Sequence, residues 1–167
     1  MNASRRMRRT AGLVAGILVL SASSAAAARS DSGRGRRHVV FRTTAQVLGF
    51  ESSCDPTVTT RCAGTFRTIR TFTGDLTGTS YVVGSSVLLA DGTYQGQDVA
   101  QFTGTINGCG TGTLIMIETG VLDPANASER GRWTIVGGQG TGDLSHVAGE
   151  GRVEPSTGAT GKLRGCR

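Results

Sequence analysis

The sequence predicts an all-β fold, a single eight-stranded antiparallel β-barrel with glycine-rich turns. Two observations predict it. Short runs rich in Val, Ile, Thr and Phe recur along the chain, separated by turns drawn from its 26 glycines. No long stretch of helical amphipathic period interrupts them. Strands are expected over residues 38–48, 65–73, 78–90, 98–107, 112–120, 130–137, 146–154 and 158–164.

The first strand, 38–48, follows a basic arm. The second, 65–73, alternates, with Phe66, Thr68, Arg70 and Phe72 on one face. "FTGDLTGTS" at 72–80 turns the chain into 78–90, whose run "YVVGSSVLLA" is apolar on both faces. "FTGTINGCGTGT" at 102–113 joins 98–107 to 112–120, where "TLIMI" is again continuously apolar. Leu114, Met116 and Glu118 share one face there, and on 130–137 Trp133 and Ile135 oppose Arg132 and Thr134. "GQGTGDLSHVAGEG" at 138–151 leads into the last two strands. The three related turns read as repeated hairpin geometry, in which glycine supplies positive φ or room for tight bends.

Residues 1–28 read as a signal peptide: Arg5, Arg6, Arg8 and Arg9 precede an apolar run from Ala11 to Leu20, and small residues end near Ala28. That run is half the length a membrane span needs, so no span is expected in the mature form. Residues 29–37 form a basic, flexible arm, and 38–167 the barrel domain. The formal net charge of +6 belongs to the leader and arm, because from His38 onward ten basic residues face eleven acidic ones, a net of −1. A nucleic-acid partner is therefore not expected. The protein is expected to be secreted, outside the cell or in its envelope.

Four cysteines behind an export signal suggest two disulfides in one of three pairings. Cys54 with Cys62 closes the local loop "CDPTVTTRC", and Cys109 with Cys166 ties a central hairpin to the chain's end. No cysteine or histidine spacing fits a zinc site, so no metal is expected.

The stretch "WTIVGGQGTGDLSHVAGEG", Trp133 to Gly151, holds six glycines in nineteen positions and raises the question of a phosphate loop. Asp143 stands where the dinucleotide motif needs its third glycine and where the P-loop needs its lysine. A carboxylate there repels phosphate, and no helix follows to supply a positive dipole end. The stretch is expected to turn the chain, and no cofactor is expected.

In order and spacing, "FTGDLTG", "FTGTINGCGTGTLIMIETG" and "GRWTIVGGQGTGDLSHVAGEG" resemble an uncharacterised bacterial family that looks allene oxide cyclase-like, an architecture shared with dirigent-like proteins. The resemblance covers Arg67 to Val153, and the run from Trp133 to Leu144 is its most specific part. It implies an eight-stranded antiparallel barrel, trimeric among plant relatives. The cysteine loop from Cys54 to Cys62 and "SHV" at 145–147 depart from the family pattern, and the plant cyclases' catalytic residues have no counterparts here.

If Arg70 and Glu118 both point inward they meet as an ion pair or as substrate-binding groups, since a lone buried charge is too costly. Tyr81 and Trp133 complete the candidate pocket, Trp133 against the plainer reading of a core side chain. Asp75 and Asp143, each in a "GDL" triplet, are expected to hydrogen-bond their own turns. His146 lies near a turn and lacks a nearby Ser or Cys nucleophile pattern, so it is expected at the surface. The expected function is a secreted barrel binding a small apolar molecule. A cofactor-free isomerase or cyclase and a structural envelope protein without ligand are the alternatives. Apolar outer faces with no helix to cover them suggest a homo-oligomer, a trimer by the resemblance.

Overall fold

A computed structural model describes residues 36–54, 62–126, 128–155 and 158–166, the side chain of Cys54 excepted. The expected leader and most of the arm lie outside the described residues. Eight antiparallel strands form one sheet that closes on itself. They are β1 (Arg37–Cys54), β2 (Cys62–Gly74), β3 (Leu76–Leu88), β4 (Tyr94–Ile106), β5 (Gly110–Asp123), β6 (Ser128–Ile135), β7 (Ala148–Glu154) and β8 (Gly158–Arg164). Every strand pairs with its sequence neighbours, and β8 closes the ring on β1 through Arg37↔Leu163 to Phe41↔Ala159. All eight expected strands are present. β1 begins at Arg37, one residue inside the expected arm, and runs six residues past the expected end, to Cys54.

The ring is uneven. β1 to β5 have 13 to 18 residues, whereas β6, β7 and β8 have only seven or eight. The barrel is therefore closed along its short strands and flares where the long strands outrun them. Beyond Phe41, β1 pairs only with β2, and a bulge between Val47 and Gly49 bends it.

Alternation fills the interior. Phe41, Phe72, Phe102 and Trp133, all at most 2% exposed, form an aromatic chain with ring centroids 5.1 to 5.7 Å apart. Trp133 fits because its strand neighbours across β7 and β8 are Gly151 and Gly161, where any Cβ would collide with the indole. Below the aromatics, Leu76, Ile106 and Leu144 are completely buried and plug the narrow end.

Leu144 answers the question raised by its glycine-rich stretch. Residues Gly142–Leu144 form a single 3₁₀ turn after an extended Thr141, and Val147 and Ala148 follow it into the core. Thr141 bonds back to β5, its amide donating to the Thr113 carbonyl at 2.9 Å. Gly142 takes φ +60°, and a Cβ there would meet the Thr111 carbonyl, so glycine is required on two counts. The stretch turns the chain and folds its turn across the barrel's end.

Cys109 and Cys166 are disulfide-bonded, joining the β4–β5 turn to the C-terminal segment across 57 residues. Cys54 and Cys62 are Cα partners at the far end of the β1–β2 ladder. The rest of the expected cysteine loop, 55–61, lies outside the described residues.

Candidate functional site: a buried charged centre below an open mouth

Three charged side chains meet inside the wide half of the barrel. Arg70 on β2 donates through Nη1 to Glu118 Oε2 on β5 and through Nη2 to Asp98 Oδ2 on β4, both at 2.6 Å. The Arg70 and Glu118 side chains are 12% exposed and that of Asp98 is 8% exposed. Asp98 and Glu118 are direct Cα partners in the β4–β5 ladder, so two like charges stand opposite each other on one face. Arg70 makes that arrangement tolerable, since its planar fork serves both carboxylates at once.

Burial opposes every charge here. It pushes the Glu118 carboxyl up to about 7, although Arg70 pulls the other way, and the neighbouring Asp98 and Glu129 charges add to the rise. Asp98 is likewise raised by burial, against the pull of Arg70. Burial works against the Arg70 charge too, yet the Glu118 and Asp98 carboxylates outweigh it and hold the guanidinium above its ordinary value.

The layer around the centre follows from strand register. Across the sheet, Phe66, Gly84, Asp98, Glu118, Trp133, Gly151 and Gly161 are successive partners. Gly84 leaves the space taken by the Phe66 ring beside Asp98 Cβ. Four buried polar atoms of this interior have no hydrogen-bond partner: Thr68 Oγ1, Ser80 Oγ, Asp98 Oδ1 and Trp133 Nε1. Buried polar groups normally find partners, in the protein itself or in ordered water.

One register step nearer the wide end, the inward positions are Gly64, Ser86, Gly96, Gly120 and Gly131, again successive partners. Side chains this small leave an open cavity of about 1030 Å³, which all five line. The charged centre lies one step beneath that lining. A mouth of this size accommodates a small organic molecule.

Of the expected pocket residues, Arg70, Glu118 and Trp133 come together. Tyr81 does not: it lies on the outer face, 46% exposed, because its neighbours Ser80 and Val82 take the inward positions. Asp98 is a member of the centre that the sequence pattern did not single out, because the strand expected over 98–107 starts at that residue. The signal was present, since Asp98, Ala100 and Phe102 alternate on one face. The two "GDL" aspartates do not bond within their own turns. Asp75 Oδ2 accepts from the Val40 amide at 2.9 Å and Asp143 Oδ2 from the Thr111 amide at 3.1 Å, so each pegs its loop to a distant strand. His146 is exposed. Among the described residues no group of three or more His, Cys, Asp or Glu side chains is placed to hold a metal.

Fold and site together define an antiparallel sheet closed in a ring, with a buried charged centre beneath an open end. Residues 41–163 match the family described as protein of unknown function (DUF3224), and the chain belongs to that family. The structure is similar to the crystal structure of a protein with unknown function from the same family from Shewanella oneidensis MR-1. The similarity has a TM-score of 0.60 at 18% identity and covers 77% of this chain and 94% of that one. No curated protein matches the chain.

Proposed function

We propose that the protein binds a small, largely apolar molecule that enters through the wide end and rests its polar end on the Arg70, Asp98 and Glu118 centre. The observation that carries this reading is the set of four unpartnered buried polar atoms around a charged centre, directly below a cavity floored by glycine and serine. A structural barrel gains nothing from such a centre, because well-packed apolar side chains stabilise a core at least as well as a buried ion pair. The resemblance to allene oxide cyclase-like barrels supports an enclosing barrel of this kind, without supplying a reaction.

Export is part of the same reading. Residues 1–28 have the organisation of a signal peptide, and the Cys109–Cys166 disulfide suits an oxidising compartment. Self-association is supported by the outer face, where Val83, Val99 and Ile117 are consecutive strand partners and 43 to 50% exposed.

A fluorescence titration tests the binding reading. Trp133 is the chain's single tryptophan and lies in the layer of the charged centre, so its emission reports occupancy of the mouth. The neutral dye N-phenyl-1-naphthylamine should bind saturably with energy transfer from Trp133, and Ser86→Phe should abolish this by filling the mouth. Absence of saturable binding to the unaltered protein contradicts the reading.

A further inference from the structure

Charge and ring placement at the mouth narrow the ligand class. One guanidinium, Arg70, faces the two carboxylates of Asp98 and Glu118, and burial limits how far water screens the surplus negative charge. A third carboxylate belongs to the same field. Glu129 lies on β6 at the spacing of Gly131 and Trp133, the inward positions, and its charge is felt at both Arg70 and Glu118. Arg130 and Arg132 take the alternate positions of that strand, their side chains exposed at the cavity's rim, which both residues help to line.

Two aromatic rings flank this acidic floor. Phe50 and Phe66 are Cα partners and therefore share a face. The Phe50 ring lies over Gly64 and the Phe66 ring over Gly84 beside Asp98, since a Cβ at either glycine would collide with the ring above it. Phe50 remains 45% exposed, which leaves ring surface available at the mouth. Aromatic faces next to carboxylates attract organic cations, through the ring quadrupole and through charge. Asp98 Oδ1 is a buried acceptor with no donor, which calls for an N–H or O–H rather than another acceptor.

From these placements we infer that the ligand is an organic amine, bound as its ammonium form: the N–H groups donate to Asp98 Oδ1 and the apolar body lies against Phe50 and Phe66. This rests on the binding reading above and specifies its ligand. A carboxylate or phosphate ligand would meet two opposed carboxylates and a third nearby. A neutral apolar one would leave Asp98 Oδ1 unpaired.

Competition against the bound dye separates the two readings. The probes are 2-phenylethylamine, its neutral isostere 2-phenylethanol, and phenylacetate, titrated at pH 8 with Trp133 emission followed in parallel. The amine should displace the dye at about one tenth the concentration the alcohol requires, a factor set by a partly buried charge–aromatic contact. Phenylacetate should be the weakest. Asp98→Asn should remove the amine's advantage, and Arg70 keeps Glu118 as a partner in that variant. Glu129→Gln, at an exposed position, should reduce the advantage without affecting the fold. Equal displacement by amine and alcohol, or stronger displacement by phenylacetate, overturns the amine assignment while dye binding upholds the pocket. If neither the dye binds nor any probe changes Trp133 emission, the binding reading falls and the assignment with it.

Discussion

At the scale of residues, the centre formed by Arg70, Asp98 and Glu118 couples protonation to folding. The Glu118 carboxyl titrates at about 7 in the folded chain against an ordinary 4.5. Between those values the folded state keeps a proton that the unfolded state has lost, so stability falls as pH rises from about 4.5 to about 7. The linkage amounts to on the order of 3 kcal/mol at most. Asp98, also raised, acts in the same direction. Urea unfolding midpoints measured across this range should fall in the natural protein and fall less steeply in Glu118→Gln, where Asp98 alone remains. Alternation puts Arg70 on the face of Phe66 and Phe72 and Glu118 on that of Leu114 and Met116, so their pairing is legible in the sequence once those apolar faces are taken as inward. Asp98 is legible only through the parity it shares with Ala100 and Phe102, since a strand expected to start at that residue gives it no inward neighbour on the other side. Tyr81 is misplaced for a different reason: a tyrosine's apolar body and wet hydroxyl suit either face, and only the neighbours Ser80 and Val82 fix which it takes.

At the scale of elements, the glycine-rich stretch after β6 does two jobs that its composition leaves undistinguished. Its glycines permit the turn, while Leu144 and Val147 carry the apolar surface that closes the narrow end. Leu144→Ala should cost about 2–5 kcal/mol, a cavity cost at a fully buried site, read as a lowered thermal midpoint. An unchanged midpoint would mean that the turn lies over the barrel without sealing it. The eight strands are legible because Val, Ile, Thr and Phe runs between glycine turns leave little else to form. What the sequence conceals are the long-range pegs. Asp75 to Val40 and Asp143 to Thr111 span 35 and 32 residues, and no local pattern distinguishes them from aspartates bonded within their own turns.

At the scale of the whole molecule, unequal strand length makes the site. Short β6, β7 and β8 close the ring around the aromatic chain, and the longer β1 to β5 outrun them to leave a mouth above the charged centre. A plugged narrow end and an open wide end give the barrel one polarity, and the four unpartnered buried polar atoms lie in its interior. The outer row of Val83, Val99 and Ile117 gives it an exposed apolar stripe. Barrel closure is foreseeable from eight hairpin-linked strands, but the height of each strand is not, because strand ends depend on partners distant in sequence. The most direct test of the central claim is native mass spectrometry of the protein purified from the organism that makes it, without disulfide reduction. A mass above that of whole chains by a small molecule, lost on mild activation and identified as an amine, is the predicted result. A mass equal to whole chains alone would contradict a barrel that holds a ligand over Arg70, Asp98 and Glu118.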